Sequence, residues 1–135
     1  MNRLEQKLIE HEGLRLKLYK CSMGKWTVGV GRNIESNGIS TEEAMFLLKN
    51  DILAATKEAS KYAWFKGLDD VRQEVVILMI FQLGAKTFAT FKKAIDAISR
   101  GDFDAAAWEM IKSSWHQQTP RRCEEMAQVM RNGKY

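Results

Sequence analysis

Apolar side chains recur at helical spacing along most of this chain. In residues 3–11 they include Leu4 and Leu8, with charged side chains between them, and this pattern predicts a short amphipathic helix. Gly13 follows the pattern, and a glycine can end a helix there because it takes a positive φ without strain. The sequence therefore predicts that Glu12 lies at the C-terminal end of a helix.

The pattern then changes from helical spacing to alternation. Residues 16–21 and 26–31 alternate apolar and polar side chains, and the segment SMGK between them contains Gly24. This arrangement is typical of a β-hairpin with a glycine in its turn. Cys21 and Thr27 are then expected on neighbouring strands, with their side chains on the same face.

Two glycines, Gly29 and Gly31, share the predicted face of Thr27. Because they have no side chains, a bulky group could approach the backbone there. The same glycines also fit a twisted or bulged edge strand, so the residues alone leave both interpretations open.

Beyond the hairpin, residues 33–39 are predicted to form a loop and the remaining pattern is helical. Ser40 and Glu43 have the spacing of a capping box. Residues 41 to about 61 predict a helix roughly 30 Å long, and the run 69–83 is apolar on nearly all sides, as in a buried central helix. Further helices are predicted over 88–99 and 103–112, around Trp115, and from Thr119 with Pro120 at its first position.

The composition fits a globular domain. The chain has 135 residues, of which 45% are apolar and 28% charged, and it contains one proline. No apolar run approaches the roughly 20 residues of a membrane span, and the charged N-terminal stretch is unlike a secretory signal. The two cysteines do not make a disulfide framework and favour a reducing compartment.

The charge balance points to a class of partner. The net charge is +4 and the pI is near 9.1, which favours a nucleic acid, an acidic membrane face or an anionic wall polymer. A modest positive excess that only aids solubility is an equally good interpretation. The Lys and Arg residues are scattered rather than aligned along one helix, which weakens the nucleic-acid interpretation.

Glu12, Cys21 and Thr27 are the candidates for chemistry. The helix dipole disfavours a charged carboxylate at a helix C-terminus, as a general acid requires, but position alone favours an ordinary solvated glutamate at a helix end. Cys21 lies at a polar strand end, whereas most free cysteines are buried small hydrophobes. His11 and His116 lack metal-ligand spacing, so no metal site is expected, and nothing local supports a Cys–His protease.

The run EGLRLKLYKCSMGKWTVGVGR closely resembles the catalytic segment of phage lysozymes of the T-even type, the endolysins of glycoside hydrolase family 24. That family carries a Glu, eight residues, an Asp or Cys, five residues and then a Thr. Glu12, Cys21 and Thr27 fit this spacing without a gap. The segments LDDVRQEVVILMIFQLG and AAAWEMIKSSWHQQTPRR continue the resemblance in order, so it covers nearly the whole chain.

The resemblance implies an α+β, mainly α, fold of the two-lobed lysozyme type in one domain. A small β-hairpin lobe, about residues 13–60, would be joined by the long helix to a larger helical lobe, residues 1–12 plus 61–135. The substrate cleft is expected between the lobes. Arg32 replaces a His that pairs with an Asp on the long helix, and Asp51 matches that Asp, so an Arg32–Asp51 ion pair is expected.

The resemblance also implies catalytic roles. Glu12 corresponds to the general acid that protonates the glycosidic oxygen and must stay protonated near neutral pH. Cys21 takes the place of the second catalytic group, which helps a water attack the far side of the sugar. Thr27 corresponds to the residue that positions this water. A thiolate at Cys21 needs a neighbour that lowers its pKa, and Lys20 and Lys25 are near enough in sequence to do so.

Four further residues are implied in saccharide binding. They are the backbone around Gly31 and Asn33, and the side chains of Phe81 and Gln82 on the central helix.

The implied activity is hydrolysis, with inversion, of the β-1,4 bond between N-acetylmuramic acid and N-acetylglucosamine in bacterial peptidoglycan. No metal or organic cofactor is implied. The expected partner is the glycan strand, with no nucleic acid and no stable membrane association, and a monomer is expected. The protein would wait in the host bacterial cytoplasm until a holin-type pore releases it to the cell wall. A catalytically weakened peptidoglycan-binding module and a tail-associated lysozyme are the alternatives.

Overall fold

The computed structural model describes residues 1–135. Nine α-helices and one three-stranded antiparallel sheet are present, which confirms the predicted α+β, mainly α, class. Residue contacts divide the chain into two compact units, Met1–Leu47 and Leu48–Tyr135, and the predicted lobe boundaries stay a prediction. The helices are α1 (Arg3–Glu12), α2 (Ile34–Asn37), α3 (Thr41–Ala59), α4 (Asp70–Leu83), α5 (Ala85–Ala89), α6 (Lys92–Ser99), α7 (Phe103–Ile111), α8 (Ser114–Gln118) and α9 (Pro120–Asn132).

The sheet belongs to the first unit, and its strands follow chain order. The predicted hairpin is confirmed, with Tyr19 opposite Thr27. A third strand extends it, so that Thr27 also lies opposite Asn33 on its other side. The strands are β1 (Arg15–Lys20), β2 (Trp26–Gly29) and β3 (Arg32–Asn33).

Two short elements of the first unit, β3 and α2, occupy a segment that the sequence predicted to be mostly loop. β3 has two residues, too few to show alternation. In α2, which has four residues, the Asn33 side chain caps the helix by accepting Ser36 N–H at 3.0 Å. Elements this short leave no measurable period, so the prediction of a loop was wrong for them.

The start of α3 carries the predicted capping box, and it also corrects a prediction. Ser40 N donates to Glu43 Oε1 at 2.8 Å, and Glu43 N donates to Ser40 Oγ at 3.1 Å. The Nη1 and Nη2 atoms of Arg32 donate to Glu43 Oε1 and Oε2, at 3.1 and 2.7 Å. The prediction of an Arg32–Asp51 ion pair is therefore wrong, because Glu43 offers both carboxylate oxygens to the planar guanidinium in a bidentate pair.

The second unit is packed around α4, α7 and α9. Met79, Met110 and Met130 are fully buried, which confirms the predicted central helix. Arg72 of α4 closes the end of α9, because its Nε and Nη2 atoms donate to Met130 O at 2.6 Å and to Arg131 O at 2.8 Å. A helix C-terminus otherwise leaves such carbonyl groups without partners.

The predicted helix over residues 88–99 is instead the separate helices α5 and α6. The Thr90 hydroxyl lies between them and donates to Thr87 O at 2.6 Å. A side chain that bonds its own backbone in this way competes with continuation of the helix.

Protonation of Glu43 is expected to weaken the start of α3. The hydrogen bond from Arg32, followed by that from Ser40 N–H, lowers the pKa of Glu43 from 4.5 to about 2. A carboxyl with a lowered folded-state pKa stabilises the fold above its ordinary pKa, and this contribution is lost as the pH falls towards about 2. Glu43→Gln should therefore melt below the wild type near neutral pH, and the difference should vanish near pH ~2.

Circular dichroism melting curves across this pH range provide the measurement. Glu42→Gln is the matched control, because Glu42 is exposed and forms no ion pair. A difference between Glu43→Gln and wild type that stays constant at every pH would contradict the role given to this carboxylate.

Candidate active site

Glu12 is the last residue of α1 and is exposed. The helix begins with a capping box between Asn2 and Glu5 and ends at Gly13, whose N–H donates to Ile9 O at 2.8 Å. Gly13 has the predicted positive φ, 80°, but its ψ of 164° is extended. The chain therefore passes directly from the helix towards β1, and this junction fixes where the Glu12 side chain leaves the backbone.

The Glu12 carboxylate lies against Gly31, in the turn between β2 and β3. A Cβ atom on Gly31 would lie 2.7 Å from Glu12 Oε2 and 3.1 Å from its Cδ, closer than non-bonded atoms pack. Gly31 also has a φ of 64°, a conformation that disfavours residues with a side chain. Glycine thus suits the backbone angle, and its missing Cβ leaves the space that the carboxylate occupies.

Cys21 and Thr27 meet at the carbonyl oxygen of Lys25. Cys21 N and Thr27 Oγ1 each donate to this oxygen at 2.9 Å. Gly24 N donates to Cys21 O at 2.8 Å and completes the hairpin turn. Cys21 is partly exposed, whereas Thr27 is only 2% exposed. One main-chain atom of the turn therefore holds both residues.

The hairpin turn favours the thiolate form of Cys21. Hydrogen bonding from the main chain of Lys25, then from Met23, and from the Thr27 hydroxyl lowers the pKa of Cys21 below its ordinary value, since donors stabilise the negative sulfur. Main-chain donors, rather than the ammonium groups of Lys20 and Lys25, are the largest causes. The single proton of the Thr27 hydroxyl serves either Lys25 O or the sulfur at any one time.

Cys123 has the opposite environment. It is fully buried in α9, and its thiol donates to Met110 O at 3.2 Å. Burial, followed by the charge of Glu124, raises the pKa of Cys123 to about 11. Neither cysteine forms a disulfide, so the chain has two free thiols of very different reactivity.

Contacts within the first unit connect the three predicted catalytic residues. Glu12 contacts Gly31, and two residues further on Asn33 pairs with Thr27 across the sheet. Thr27 shares its acceptor with Cys21. An acid, a thiol and a hydroxyl are therefore tied to one small sheet.

The residues implied in saccharide binding fall in both units. Gly31 and Asn33 belong to the turn and strand just described. Phe81, on α4 in the second unit, is exposed and lines a cavity of about 380 Å³. Gln82 donates from Nε2 to Thr119 Oγ1 at 3.1 Å, while its Oε1 is buried without a partner.

Sequence reasoning missed one residue of the site, Glu35 of α2. Its Oε1 accepts Trp26 N–H at 3.1 Å, and its Oε2 lies 3.5 Å from Lys25 Nζ. No motif relates Glu35 to the hairpin, since α2 itself leaves no pattern in the sequence. Only the packing of α2 against β2 reveals the contact.

The chain offers no group of three or more His, Cys, Asp or Glu side chains placed to hold a metal ion. What the first unit assembles instead is a carboxyl, a thiol with a lowered pKa and a hydroxyl with a fixed acceptor. Such a set can donate a proton on one side of a bond and orient a water on the other.

Comparison with known sequences identifies the family. The sequence model described as phage lysozyme matches residues 9–131. The chain belongs to the phage lysozyme family. This confirms the resemblance found from the residues, and it makes the protein a lysozyme-type glycoside hydrolase whose substrate class is peptidoglycan.

Individual relatives of this phage lysozyme cover most of the chain. "Probable T4-type lysozyme 1" of Dictyostelium discoideum is 29% identical over an alignment of 152 positions, which covers 90% of this chain and 89% of that protein. "Endolysin" of Acyrthosiphon pisum secondary endosymbiont phage 1 is 30% identical over 107 residues, 77% of this chain and 72% of that protein. "Pre-baseplate central spike protein Gp5" of Enterobacteria phage T4 is 26% identical over an alignment of 160 positions, which covers 96% of this chain and 28% of that protein.

None of the helices of this lysozyme combines the length and the apolar character needed to cross a membrane.

Gly31→Ala is expected to displace the Glu12 carboxylate. If Glu12 is the general acid that the resemblance implies, the rate of cell-wall hydrolysis should fall about tenfold or more, because small misplacements of a catalytic group are costly. Gly29→Ala is the matched control. Gly29 has a similar φ of 71°, but an added Cβ would meet nothing within 4 Å. Both variants carry backbone strain of about 1 kcal/mol, so their melting temperatures should be similar. Equal hydrolysis rates for the two variants would contradict the importance of the contact.

Iodoacetamide is expected to alkylate Cys21 long before Cys123. The thiolate is the nucleophile, and the pKa is lowered for Cys21 but raised to about 11 for Cys123. Peptide mass spectrometry after alkylation at increasing pH should show Cys21 reacting at a lower pH than the cysteine of an unstructured peptide. A Cys21 profile that coincides with that of the peptide would remove the proposed stabilisation of its thiolate.

Proposed function

We propose that this phage lysozyme is an endolysin that cleaves the β-1,4 bond between N-acetylmuramic acid and N-acetylglucosamine and thereby lyses the host cell. The observation that carries the proposal is the contact of the Glu12 carboxylate with Gly31, beside a hairpin that joins Cys21 and Thr27 at one acceptor. Similarity over 77% of the chain to a protein named endolysin supports the lytic role.

Glu12 is proposed as the general acid. Its carboxyl rests against a residue without a side chain and is exposed, so a sugar can reach it from solvent. The proton of the carboxyl passes to the glycosidic oxygen as the bond to the anomeric carbon breaks, and the departing sugar leaves as a neutral alcohol. Glu12 is then a carboxylate that solvent reprotonates before the next cycle.

Cys21 and Thr27 are proposed to orient the attacking water. While the Thr27 proton lies on Lys25 O, Oγ1 can accept one hydrogen of the water and the Cys21 thiolate can accept the other. The water oxygen then forms a bond to the anomeric carbon opposite the leaving group, with inversion, and its proton goes to the sulfur. The negative sulfur also stabilises the oxocarbenium-like transition state.

The proposed substrate is the peptidoglycan glycan strand, held by the backbone of Gly31 and Asn33 and by Phe81 and Gln82. A net charge of +4 suits an anionic wall. The reaction as written uses no cofactor, and the protein is proposed to act as a monomer, without nucleic acid and without stable membrane association. It would wait in the host cytoplasm until a holin-type pore gives it access to the wall.

A lysozyme carried on the phage tail is the second candidate. The support is the similarity to the central spike protein Gp5, of which only 28% is covered by the match. A stretch similar to this chain therefore occurs within a longer protein named for the baseplate. Recovery of the protein in purified phage particles, rather than only in host lysates, would favour this candidate over the free endolysin.

The decisive test is clearance of purified cell walls. The wild type should clear the suspension, and Glu12→Gln should reduce the rate about 10²-fold or more, since an amide cannot act as the acid. Glu10→Gln is the control, because Glu10 is an exposed neighbour that pairs only with Lys7, at 3.0 Å. Cys21→Ser should also be strongly impaired, and full lysis by it would remove the thiolate from the mechanism.

Analysis of the products identifies the bond. After borohydride reduction, the new chain ends should be reduced N-acetylmuramic acid, and reduced N-acetylglucosamine ends would contradict the proposed specificity. Wall binding without clearance by the wild type would indicate the catalytically weakened binding module.

A further inference from the structure

The peptide unit between Lys25 and Trp26 is held at both ends. Its carbonyl oxygen accepts hydrogen bonds from Cys21 N and Thr27 Oγ1, each at 2.9 Å. Its N–H donates to Glu35 Oε1 at 3.1 Å. Because a peptide unit is planar, a group that fixes the N–H also fixes the direction in which the carbonyl points.

Glu35 occupies a place in the sheet that the backbone leaves open. β3 ends at Asn33, which pairs with Thr27, so no residue of β3 lies beside Trp26. The chain turns into α2 at this point, and the Glu35 carboxylate takes the hydrogen bond that a longer strand would have accepted. Its second oxygen lies 3.5 Å from Lys25 Nζ, so both oxygens face the same dipeptide.

We propose that Glu35 is a positioning residue for the reaction described above: by holding Trp26 N–H, it fixes the Lys25 carbonyl that orients the Thr27 hydroxyl and the backbone of Cys21. A carboxylate that accepts from an amide N–H polarises the amide and strengthens its carbonyl as an acceptor. The Thr27 proton is thereby kept on Lys25 O, and the lone pairs of Oγ1 stay available to a water. This inference rests on the proposed function, but its geometry can be tested without measuring activity.

Enzyme kinetics test the positioning role. Glu35→Ala is expected to lower the maximal rate of wall hydrolysis about tenfold, with the half-saturating wall concentration unchanged, because the attacking water is disordered while saccharide contacts remain. Glu35→Gln keeps an oxygen acceptor for Trp26 N–H and should retain most of the rate. Glu10→Ala, which removes an exposed carboxylate paired only with Lys7, is the control. Equal losses in Glu35→Ala and Glu35→Gln, or no loss in either, would overturn the proposal.

The thiol gives a readout that a merely structural role would not move. In Glu35→Ala the Lys25–Trp26 peptide unit is no longer held, so the donors from Lys25 and Thr27 to the Cys21 sulfur are rearranged and the pH dependence of Cys21 alkylation should change, while Glu35→Gln should follow the wild type. An unchanged profile in Glu35→Ala would overturn the proposal. If the wild type hydrolyses no walls, the proposed function fails, yet this measurement still decides the positioning.

The wild-type protein supplies a test that does not depend on a variant folding. In an NMR titration into acid, the Trp26 amide proton should shift together with protonation of Glu35, and the shift should be missing in Glu35→Gln. Lys25 is the other charged group that faces Glu35, with its Nζ 3.5 Å from Glu35 Oε2. A Trp26 amide that does not respond would overturn the proposal.

Discussion

The contact between the Glu12 carboxylate and Gly31 is the constraint on which the proposed chemistry of this lysozyme depends. It requires α1 to end where it does, at a glycine that turns the chain towards β1, and it requires a turn residue without a Cβ. Arg32, next to Gly31, is in turn tied to Glu43 at the start of α3. One short-range contact therefore couples the first helix, the sheet and the start of α3.

Main-chain groups set the environment of both Cys21 and Thr27. The lowered pKa of Cys21 comes first from the backbone of Lys25, and the Thr27 hydroxyl is oriented by the carbonyl of the same residue. Such contributions depend on the conformation of the turn rather than on the side chain at position 25. What this segment provides is therefore a backbone conformation, which several sequences could adopt.

The sequence could predict the features that depend on residues close to one another in the chain. The helix end at Gly13, the hairpin, the capping box of Ser40 and Glu43 and the buried central helix follow from local rules that act within a few residues. The proposed catalytic residues were chosen by spacing, and the hairpin keeps Cys21 and Thr27 at a fixed separation. These features needed no knowledge of distant contacts.

The rest depended on packing between segments. The partner of Arg32 was mispredicted because a guanidinium can reach several carboxylates, and only the folded turn puts Glu43 in a bidentate position. Glu35 carries no motif, and the two-residue strand before it is too short for any period to appear. The break at Thr90 likewise accompanies a hydrogen bond from the Thr90 hydroxyl to Thr87 O, which competes with continuation of the helix.

The two units differ greatly in their cores. Thr27 is the one residue of the first unit that is fully buried, whereas every residue of the hydrophobic core belongs to the second unit. Side chains such as Leu16 and Phe46 remain 85% and 67% exposed. Regions with few buried apolar contacts open locally at low free energy and lose their amide protection against hydrogen exchange first. The proposed catalytic groups are therefore carried by the more easily opened part of the chain.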